Sequence, residues 1–290
     1  MDKMGPTWCE ANMETIVGWL QEEAKRRLLI SPPQFAIRLL ITKAIKRARL
    51  MDYRKFFERA YCVNLKRRPD RWEAFNAGLP QDWPFATIEQ VAAVDGKKCK
   101  HPKWWRQGGG AWGCYRTHLR LIEQCLNDGV ESVLLLEDDA TFSDTFTADV
   151  KEYIAHVPSD WGMLYLGGQH LKAAKTKPKK INEWVYQPHN VNRTHAWALR
   201  GACLKRVYTF LSEMVEGNHH HIDHYLGRIH QQRKEKIYTP KRWLVGQAEG
   251  QSNINGREFK ERFWPAAERL NVNLEEQPLV VVLGLHSSGS

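Results

Sequence analysis

The sequence lacks three features, each of which would place the protein in a particular class. It contains no run of roughly eighteen apolar residues, so no membrane-spanning helix is expected. Its first residues, MDKMGPTWCEANMET, lack the basic-then-apolar order of a secretory signal, which favours a cytoplasmic protein. Its six cysteines form no Cys-x-x-Cys pair and no zinc-like spacing, so we expect free thiols, several of them buried.

The composition fits a folded chain with an excess of positive charge. The 290 residues are 42% hydrophobic and 26% charged, which is enough for one large core, or one core with a small appendage. The formal net charge of +10 favours a polyanionic partner such as nucleic acid, anionic lipid or lipopolysaccharide phosphate. A solvated basic surface without such a partner explains the charge equally well.

The chain begins with a basic helical extension, residues 1–59. Candidate helices cover about 13–30 and 34–49, and Pro32-Pro33 separates them. The second helix has an apolar face and a basic face. Such a helix is typical either of packing on a domain or of holding an anionic polymer or a membrane surface.

The main domain covers residues 60–270, where short apolar runs alternate with helical patterns. This alternation predicts an α/β domain with a mostly parallel sheet, in which ligands bind at the carboxyl ends of the strands. The lysine-rich stretch Lys172–Lys180 is predicted to be an exposed loop. The predicted strands are 60–64, 86–94, 132–137, 162–166 and 196–199, and the predicted helices are 69–76, 111–127, 202–213 and 223–232.

Residues 271–290 contain a linker-like stretch and then a predicted buried strand over 278–283. This strand runs into the segment from Gly284 to Ser290, which has the glycines of a phosphate-binding loop but lacks the Walker lysine. Two interpretations stay open. The segment is either the start of a truncated sulfotransferase-like or kinase-like domain, or a flexible Ser/Gly end.

The chemistry is carried by an acidic tract, Leu134-Leu135-Leu136-Glu137-Asp138-Asp139, in which a buried strand delivers three consecutive acids to its carboxyl end. Burying three carboxylates without a cation would cost free energy. A divalent cation held there would neutralise the negative charge that develops on a leaving diphosphate. A solvated acidic turn is the alternative, because the tract alone is only moderately specific.

Three motifs around the tract make the interpretation more specific. The segment NLKRRPDR, residues 64–71, joins a strand end to a helix start and carries three arginines suited to binding a nucleotide. The segment AAVDG, residues 92–96, ends a strand in an Asp-Gly turn. The segment GAWGCYRTH, residues 110–118, leads into the helix before the acidic strand.

In this order, the motifs resemble those of glycosyltransferase family 25, which includes lipopolysaccharide-biosynthesis enzymes and collagen galactosyltransferases. The resemblance runs from about Ala60 to Gly256. Thr117 stands where the family often has Ser, and Trp197 where it often has Tyr, and both keep the type of chemistry. The resemblance implies a GT-A-like, Rossmann-type fold that binds a nucleotide-sugar, usually a UDP-sugar. It also implies Mn²⁺ or Mg²⁺ as cofactor and inversion at the anomeric carbon.

The same resemblance implies roles for single residues. Asp139 and Asp138 are the implied metal ligands, and Asp138 is also assigned to the nucleotide. The other residues implied to bind the nucleotide are Asn64, Leu65, Arg68, Arg71, Asp95, Gly113, Thr117 and His118.

An inverting transfer needs one base to deprotonate the acceptor hydroxyl. Asp223, at a predicted helix start, is the first candidate, and an N-cap aspartate without a catalytic role is its alternative. Glu137 is the second candidate. The histidines at 219, 220, 221 and 224 are predicted to lie in a solvated loop rather than a metal site, and His195 to be a core histidine rather than a third metal ligand.

The preferred acceptor is a hydroxymethylated pyrimidine in DNA, of the 5-hydroxymethylcytosine type found in phage-type DNA modification within an infected bacterial cell. The net charge, the expected cytoplasmic location and the C-terminal segment support this hypothesis. The alternatives are a lipopolysaccharide core or other glycan, and, in another class, a non-catalytic module that binds polyanions. Trp104 and Trp105 are predicted to be exposed, where they would stack on a displaced strand or form a lid over the donor.

Overall fold

The computed structural model describes residues 51–213, 220–254 and 256–271. The chain divides into two compact units, Met1–Leu50 and Met51–Ser290. The two helices predicted for the extension, and the strand and glycine loop predicted for 271–290, lie outside the described residues. The second unit already includes residues 51–59, which the sequence assigned to the extension, because Phe57 is fully buried in its core.

Fourteen strands, six α-helices and one short 3-10 helix (Tyr53–Lys55) make up the described part of the second unit. The strands are β1 (Arg59–Asn64), β2 (Ile88–Ala92), β3 (Ser132–Glu137), β4 (Ala140–Phe142), β5 (Met163–Tyr165), β6 (Gln169–His170), β7 (Lys179–Lys180), β8 (Val185–Gln187), β9 (Val191–Asn192), β10 (Ala196–Arg200), β11 (Ile237–Pro240), β12 (Val245–Gln247), β13 (Gly250–Gln251) and β14 (Glu258–Phe259). The helices are α1 (Pro69–Ala77), α2 (Gly108–Asn127), α3 (Phe146–His156), α4 (Ala202–Ser212), α5 (Ile222–Gln232) and α6 (Ala267–Leu270).

An eight-stranded sheet forms the centre, in the order β2-β1-β3-β10-β5-β11-β8-β7. Strand β1 pairs in parallel with β2 and β3, and β5 pairs in parallel with β11. Strand β10 is antiparallel to both β3 and β5, and β8 is antiparallel to both β11 and β7. The other strands of this sheet run in one direction, which confirms the predicted α/β class with a mostly parallel sheet.

Strand β3 lies in the middle of the fold because its side chains are buried on both faces of the sheet. Val133 and Leu135 belong to one hydrophobic cluster, and Leu134 and Leu136 belong to the other. Helices α2, α4 and α5 contribute to the first cluster, whereas α1 and α3 contribute to the second. The resulting three layers hold the carboxyl end of β3 on a rigid base.

The strands and helices predicted for the main domain are present, with ends shifted by at most three residues. The lysine-rich loop is shorter than predicted, because Lys179 and Lys180 form the exposed edge strand β7. The short strands β4 and β12 were not predicted; they pair with each other and bring Gln247 opposite Ala140, next to the acidic tract. Within the described part of the chain, no helix is long and apolar enough to cross a membrane.

Candidate active site

The ends of several strands meet at one edge of the sheet and surround a cavity of about 470 Å³. Strands β1, β2 and β3 are parallel, so their carboxyl ends lie together at this edge. Because β10 is antiparallel to β3, the residues just before β10 reach the same edge, and Thr194 lines the cavity beside Glu137. This is the edge at which α/β sheets bind ligands.

Asp138 and Asp139 follow β3 and face the cavity, where Arg71 of α1 bridges them. The Arg71 Nη2 atom lies 3.0 Å from Asp138 Oδ1 and 3.1 Å from Asp139 Oδ2. Asn64, at the end of β1, donates from Nδ2 to Asp138 Oδ2 over 2.6 Å. Gln247, at the end of β12, donates from Nε2 to Asp139 Oδ2 over 3.3 Å.

The environment of these two aspartates suits a cation. Burial, with the neighbouring acidic charges, raises the pKa of Asp138 to about 6 against the lowering effect of Arg71. Burial and the charge of Glu137 also raise the pKa of Asp139. Asp139 Oδ1 is buried and has no hydrogen-bond partner among the described residues. A carboxylate oxygen without a donor, in a cluster whose negative charges destabilise one another, is the chemistry that a divalent cation satisfies.

Glu137 is held differently, through one carboxylate oxygen. Its Oε1 accepts a hydrogen bond from His118 Nε2 of α2 over 3.1 Å and one from Thr194 Oγ1 over 2.6 Å. Burial alone would raise the pKa of Glu137, but these two donors and the neighbouring histidines lower it to about 2. Glu137 therefore stays ionised and fixed in orientation.

A second set of metal-ligand atoms adjoins this group. One atom each of Cys114, His118 and Glu137 lies within 4.8 Å of the others. Burial raises the pKa of the Cys114 thiol well above its ordinary value, which disfavours the thiolate that binds metals. The Glu137 oxygen nearest His118 is also already hydrogen-bonded. Asp138 and Asp139 therefore suit a hard divalent cation better.

The motifs that the sequence predicts to bind a nucleotide lie around the same cavity. Arg67 pairs with Asp95 over 3.0 Å, and Arg68 pairs with Asp70 over 2.8 Å. Thr117 is buried, and its Oγ1 accepts from the Val94 N–H over 2.8 Å and donates to the Gly113 carbonyl over 2.7 Å. Thr117 thus ties α2 to the segment after β2.

Gly113 permits a close approach between α2 and the Asp-Gly turn. A Cβ atom at this position would lie 2.8 Å from the Gly96 nitrogen and would also collide with the Val94 carbonyl. Gly113 of the 110–118 motif therefore allows helix and turn to touch, whereas Gly110 packs closely against Asn253 and Ile254. Gly113 itself does not line the cavity.

Asp223 lines the cavity from the first turn of α5. His221, rather than Asp223, occupies the N-cap position, so the N-cap interpretation is wrong in that detail. Asp223 Oδ1 accepts from the His224 N–H over 2.9 Å, and Oδ2 accepts from the Arg193 N–H over 3.3 Å. His221 and His224 also line the cavity, whereas His219 lies outside the described residues.

His195 is a buried core histidine, as predicted. Its Nε2 lies 3.2 Å from the Val245 carbonyl oxygen, and burial lowers its pKa. The prediction for Trp105 is wrong: this side chain is only 2% exposed. The ring centroids of Trp105 and Trp112 lie 5.1 Å apart. The aromatic side chains that precede α2 pack against apolar residues at the start of that helix. Trp104 is half-buried in the same cluster.

Most of the residues that the sequence singled out line one cavity. Asn64 and Gly113 are the exceptions; the first orients Asp138 and the second allows helix packing. The cavity-lining members are Leu65, Arg68, Arg71, Asp95, Thr117, His118, Glu137, Asp138, Asp139 and Asp223.

One wall of the cavity, called the far wall below, was not predicted from the sequence. Gln247, Arg193 and Arg262 line it, and no motif marked them. Burial and the nearby charge of Arg193 lower the pKa of Arg262. Gln247 and Arg262 lie downstream of the last predicted helix, and Arg193 lies just before the predicted strand 196–199.

Known proteins similar to this chain include human "inactive glycosyltransferase 25 family member 3", at 24% identity over 51% of this chain and 27% of that protein. Procollagen galactosyltransferase 1 of Danio rerio matches at 24% identity over 41% of this chain and 23% of that protein. The chain thus spans about a quarter of the length of these relatives. The apo structure of mouse xyloside xylosyltransferase 1 covers 67% of this chain and 79% of its own, at 11% identity and a TM-score of 0.36.

A family model described as "Glycosyltransferase family 25 (LPS biosynthesis protein)" matches residues 57–239, which include β1, β3 and the acids that follow β3. This match covers more than half of the chain and contains the sequence motifs that surround the cavity. The chain belongs to glycosyltransferase family 25.

Proposed function

We propose that the chain transfers a sugar from a nucleotide-sugar, most simply a UDP-sugar, to a hydroxyl group with inversion at the anomeric carbon. The observation that carries this proposal is the pair Asp138 and Asp139 at the end of β3, with a buried carboxylate oxygen that lacks a donor among the described residues. Because relatives of this chain include proteins named inactive, the activity is argued from these side chains rather than from the family.

Asp138 and Asp139 would hold Mn²⁺ or Mg²⁺. When bound, the cation supplies positive charge that stabilises the leaving diphosphate. Asn64 and Gln247 each hold one carboxylate in place, and Arg71 adds a fixed positive charge beside both. This preorganised arrangement supports transition-state stabilisation, because its charges need no reorganisation during the reaction.

The nucleotide would lie between the end of β1 and the start of α2. Leu65, Arg68 and Asp95 line the cavity on this side, and Thr117 and His118 line its floor. The Arg67 and Arg68 guanidinium groups are partly exposed to the cavity, where each can exchange its aspartate partner for phosphate.

Asp223 is the proposed general base. It lines the same cavity as Asp138 and Asp139, and two backbone N–H groups orient its carboxylate. Glu137 is less suited to the role, because His118 and Thr194 occupy one oxygen and lower its pKa. We assign Glu137 to positioning.

The acceptor proposal stays with a hydroxymethylated pyrimidine in DNA, acting in the cytoplasm, and the net charge of +10 supports it. Stacking by Trp105 no longer supports it, since that side chain is buried. A lipopolysaccharide core is the second candidate, favoured by the description of the family. Both acceptors are polyanions that offer a hydroxyl group.

A donor panel tests the proposed activity directly. The full chain is incubated with UDP-, GDP- and ADP-sugars, with and without Mn²⁺, and release of the nucleoside diphosphate is measured. The proposal expects release from one nucleotide class, and only when the cation is present. A module that merely binds polyanions would release nothing from any donor, and that outcome would refute the proposal.

The acceptor is tested once the donor is known. Duplex DNA containing 5-hydroxymethylcytosine and lipopolysaccharide core are offered in parallel, and the products are weighed by mass spectrometry. A gain of one sugar mass on the nucleoside supports the DNA acceptor. A gain on the core alone refutes it and leaves the glycosyltransferase activity in place.

A further inference from the structure

Two arginines on the far wall of the cavity have no role in the function proposed above. The guanidinium carbons of Arg193 and Arg262 each lie 4.8 Å from the ring centroid of Trp264. Arg262 also lies 4.4 Å from the centroid of Phe259, which lines the cavity too. Arg262 and Trp264 lie beyond residue 239, where the family match ends, whereas Arg193 lies within the match.

The guanidinium groups of this pair have no ion-pair partner among the described residues. No carboxylate forms an ion pair with either guanidinium among residues 51–213, 220–254 and 256–271. The Nε atom of each is buried and lacks a hydrogen-bond acceptor in the same ranges. Arg193 Nη2 makes one long hydrogen bond, 3.4 Å, to Gln169 Oε1. A buried N–H of a charged group without an acceptor costs free energy, which an anionic ligand would recover.

The backbone fixes where both arginines stand. Arg193 has a φ of 88°, which residues other than glycine rarely adopt. Its backbone N–H is shared between Asn192 Oδ1 and Asp223 Oδ2. Arg262 exchanges two backbone hydrogen bonds of 3.0 Å with Gln247, whose side chain contacts Asp139. One arginine is therefore linked to the proposed base and the other to the proposed metal site.

We propose that Arg193 and Arg262 form a phosphate-binding subsite of the cavity. Guanidinium groups bind phosphate oxygens in bidentate fashion, and two of them match a doubly charged phosphate. Both guanidinium groups pack against the aromatic ring of Trp264, which would hold them in place. The phosphate belongs either to the diphosphate of the donor or to an acceptor that carries phosphate. The assignment of this phosphate to donor or acceptor rests on the proposed function, whereas the binding of phosphate itself does not.

Calorimetric titration of the full chain with inorganic phosphate tests the subsite without any turnover. The double variant Arg193→Gln/Arg262→Gln should lose phosphate affinity by about tenfold or more, because two charge-assisted contacts are removed. The matched control is Arg116→Gln, since Arg116 also lies over a tryptophan, 6.0 Å from Trp112, but is exposed and outside the cavity. An unchanged affinity in the folded double variant, or an equal loss in the control, would overturn the proposal.

A charge-conserving variant keeps the test decisive if the double variant fails to fold. Arg262→Lys retains the charge but loses the bidentate geometry, so phosphate affinity should fall severalfold while Arg116→Lys binds as wild type does. Equal affinity of Arg262→Lys and wild type would contradict the subsite.

Competition identifies the source of the phosphate. If UDP with Mn²⁺ displaces inorganic phosphate, the subsite holds the donor diphosphate. If phosphate still binds beside saturating UDP and Mn²⁺, the subsite serves an acceptor phosphate. A chain that releases no nucleotide from any donor, yet binds phosphate through these arginines, would refute the proposed function and leave the subsite standing.

Discussion

At the scale of single residues, the three consecutive acids have different environments although they share one strand end. Glu137 is fixed by two donors and its pKa is lowered, whereas burial raises the pKa of both Asp138 and Asp139. The sequence marked all three acids, and the family resemblance assigned the metal to Asp138 and Asp139. The sequence could not give their different environments, because these depend on His118 and Thr194, which come from other parts of the chain. The proposed cation site and the proposed positioning carboxylate would thus arise from adjacent residues.

The role of Asp223 is tested by replacing its carboxylate with an amide. Asp223→Asn should lower kcat by about 10²–10⁴-fold and leave the KM for the donor nearly unchanged, because a general base acts in the transition state. Steady-state kinetics with the identified donor measure both constants. Full activity together with a lower Tm would show instead that Asp223 only supports the first turn of α5.

At the scale of elements, the sequence predicted the main strands and helices because their hydrophobic periods are long and regular. Both ends of strand β3 were predicted at the correct residue, because its apolar run ends sharply at the acidic residues. The pair β4 and β12 was not predicted, because neither the sequence ATF of β4 nor the sequence VGQ of β12 forms an apolar run. That pair brings Gln247 to Asp139, so part of the site was missed with it.

The packing of α2 on the Asp-Gly turn predicts a large effect of one methyl group. Gly113→Ala should destabilise the protein by about 1–3 kcal/mol, because its Cβ would collide with backbone atoms of Val94 and Gly96. Gly78→Ala is the matched control: its φ is −86° and its Cβ would lie 3.4 Å from the nearest atom, so little change is expected. Thermal unfolding of both variants measures the difference, and equal Tm values would contradict the close packing.

An ion pair between α4 and the segment before β11 predicts a pH-dependent stability. Arg206 donates to the buried carboxylate of Glu235, and this contact lowers the pKa of Glu235 below its ordinary 4.5. The contribution is therefore present at neutral pH and is lost as pH falls through the lowered pKa. Glu235→Gln should cost about 1 kcal/mol at pH 7, a modest amount because Arg206 is largely exposed.

Denaturant unfolding at pH 7 and near pH 3 measures this difference. The gap between wild type and Glu235→Gln should shrink at the lower pH, because the wild-type carboxylate is then increasingly protonated. A gap that stays constant or widens would show that the ion pair is not its cause.

At the scale of the whole molecule, the excess of positive charge can be read directly from the sequence, but it does not identify the partner. The cavity itself mixes basic and acidic side chains, so the net charge acts mainly outside it. Composition indicates the sign of the partner's charge but not the identity of the partner. Specificity depends on contacts between surfaces, which no hydrophobic period or motif encodes.

Binding to a polyanionic acceptor should depend steeply on salt. If phosphate contacts dominate, the affinity for duplex DNA should fall by about tenfold or more between 50 and 200 mM NaCl, because counterion release drives the association. Fluorescence anisotropy with labelled DNA measures this dependence. Affinity that does not change with salt would argue against a polyanionic acceptor of any kind.

The central claim is that Asp138 and Asp139 hold a cation that the transfer reaction needs. Its most direct test is the rate of nucleoside diphosphate release at saturating Mn²⁺ in Asp139→Ala, compared with wild type and with Asp144→Ala, an exposed acid outside the cavity. The account predicts a loss of roughly 10²-fold or more in Asp139→Ala, an unchanged rate in Asp144→Ala, and the same fold by circular dichroism in both. Release by Asp139→Ala at close to the wild-type rate would contradict the claim.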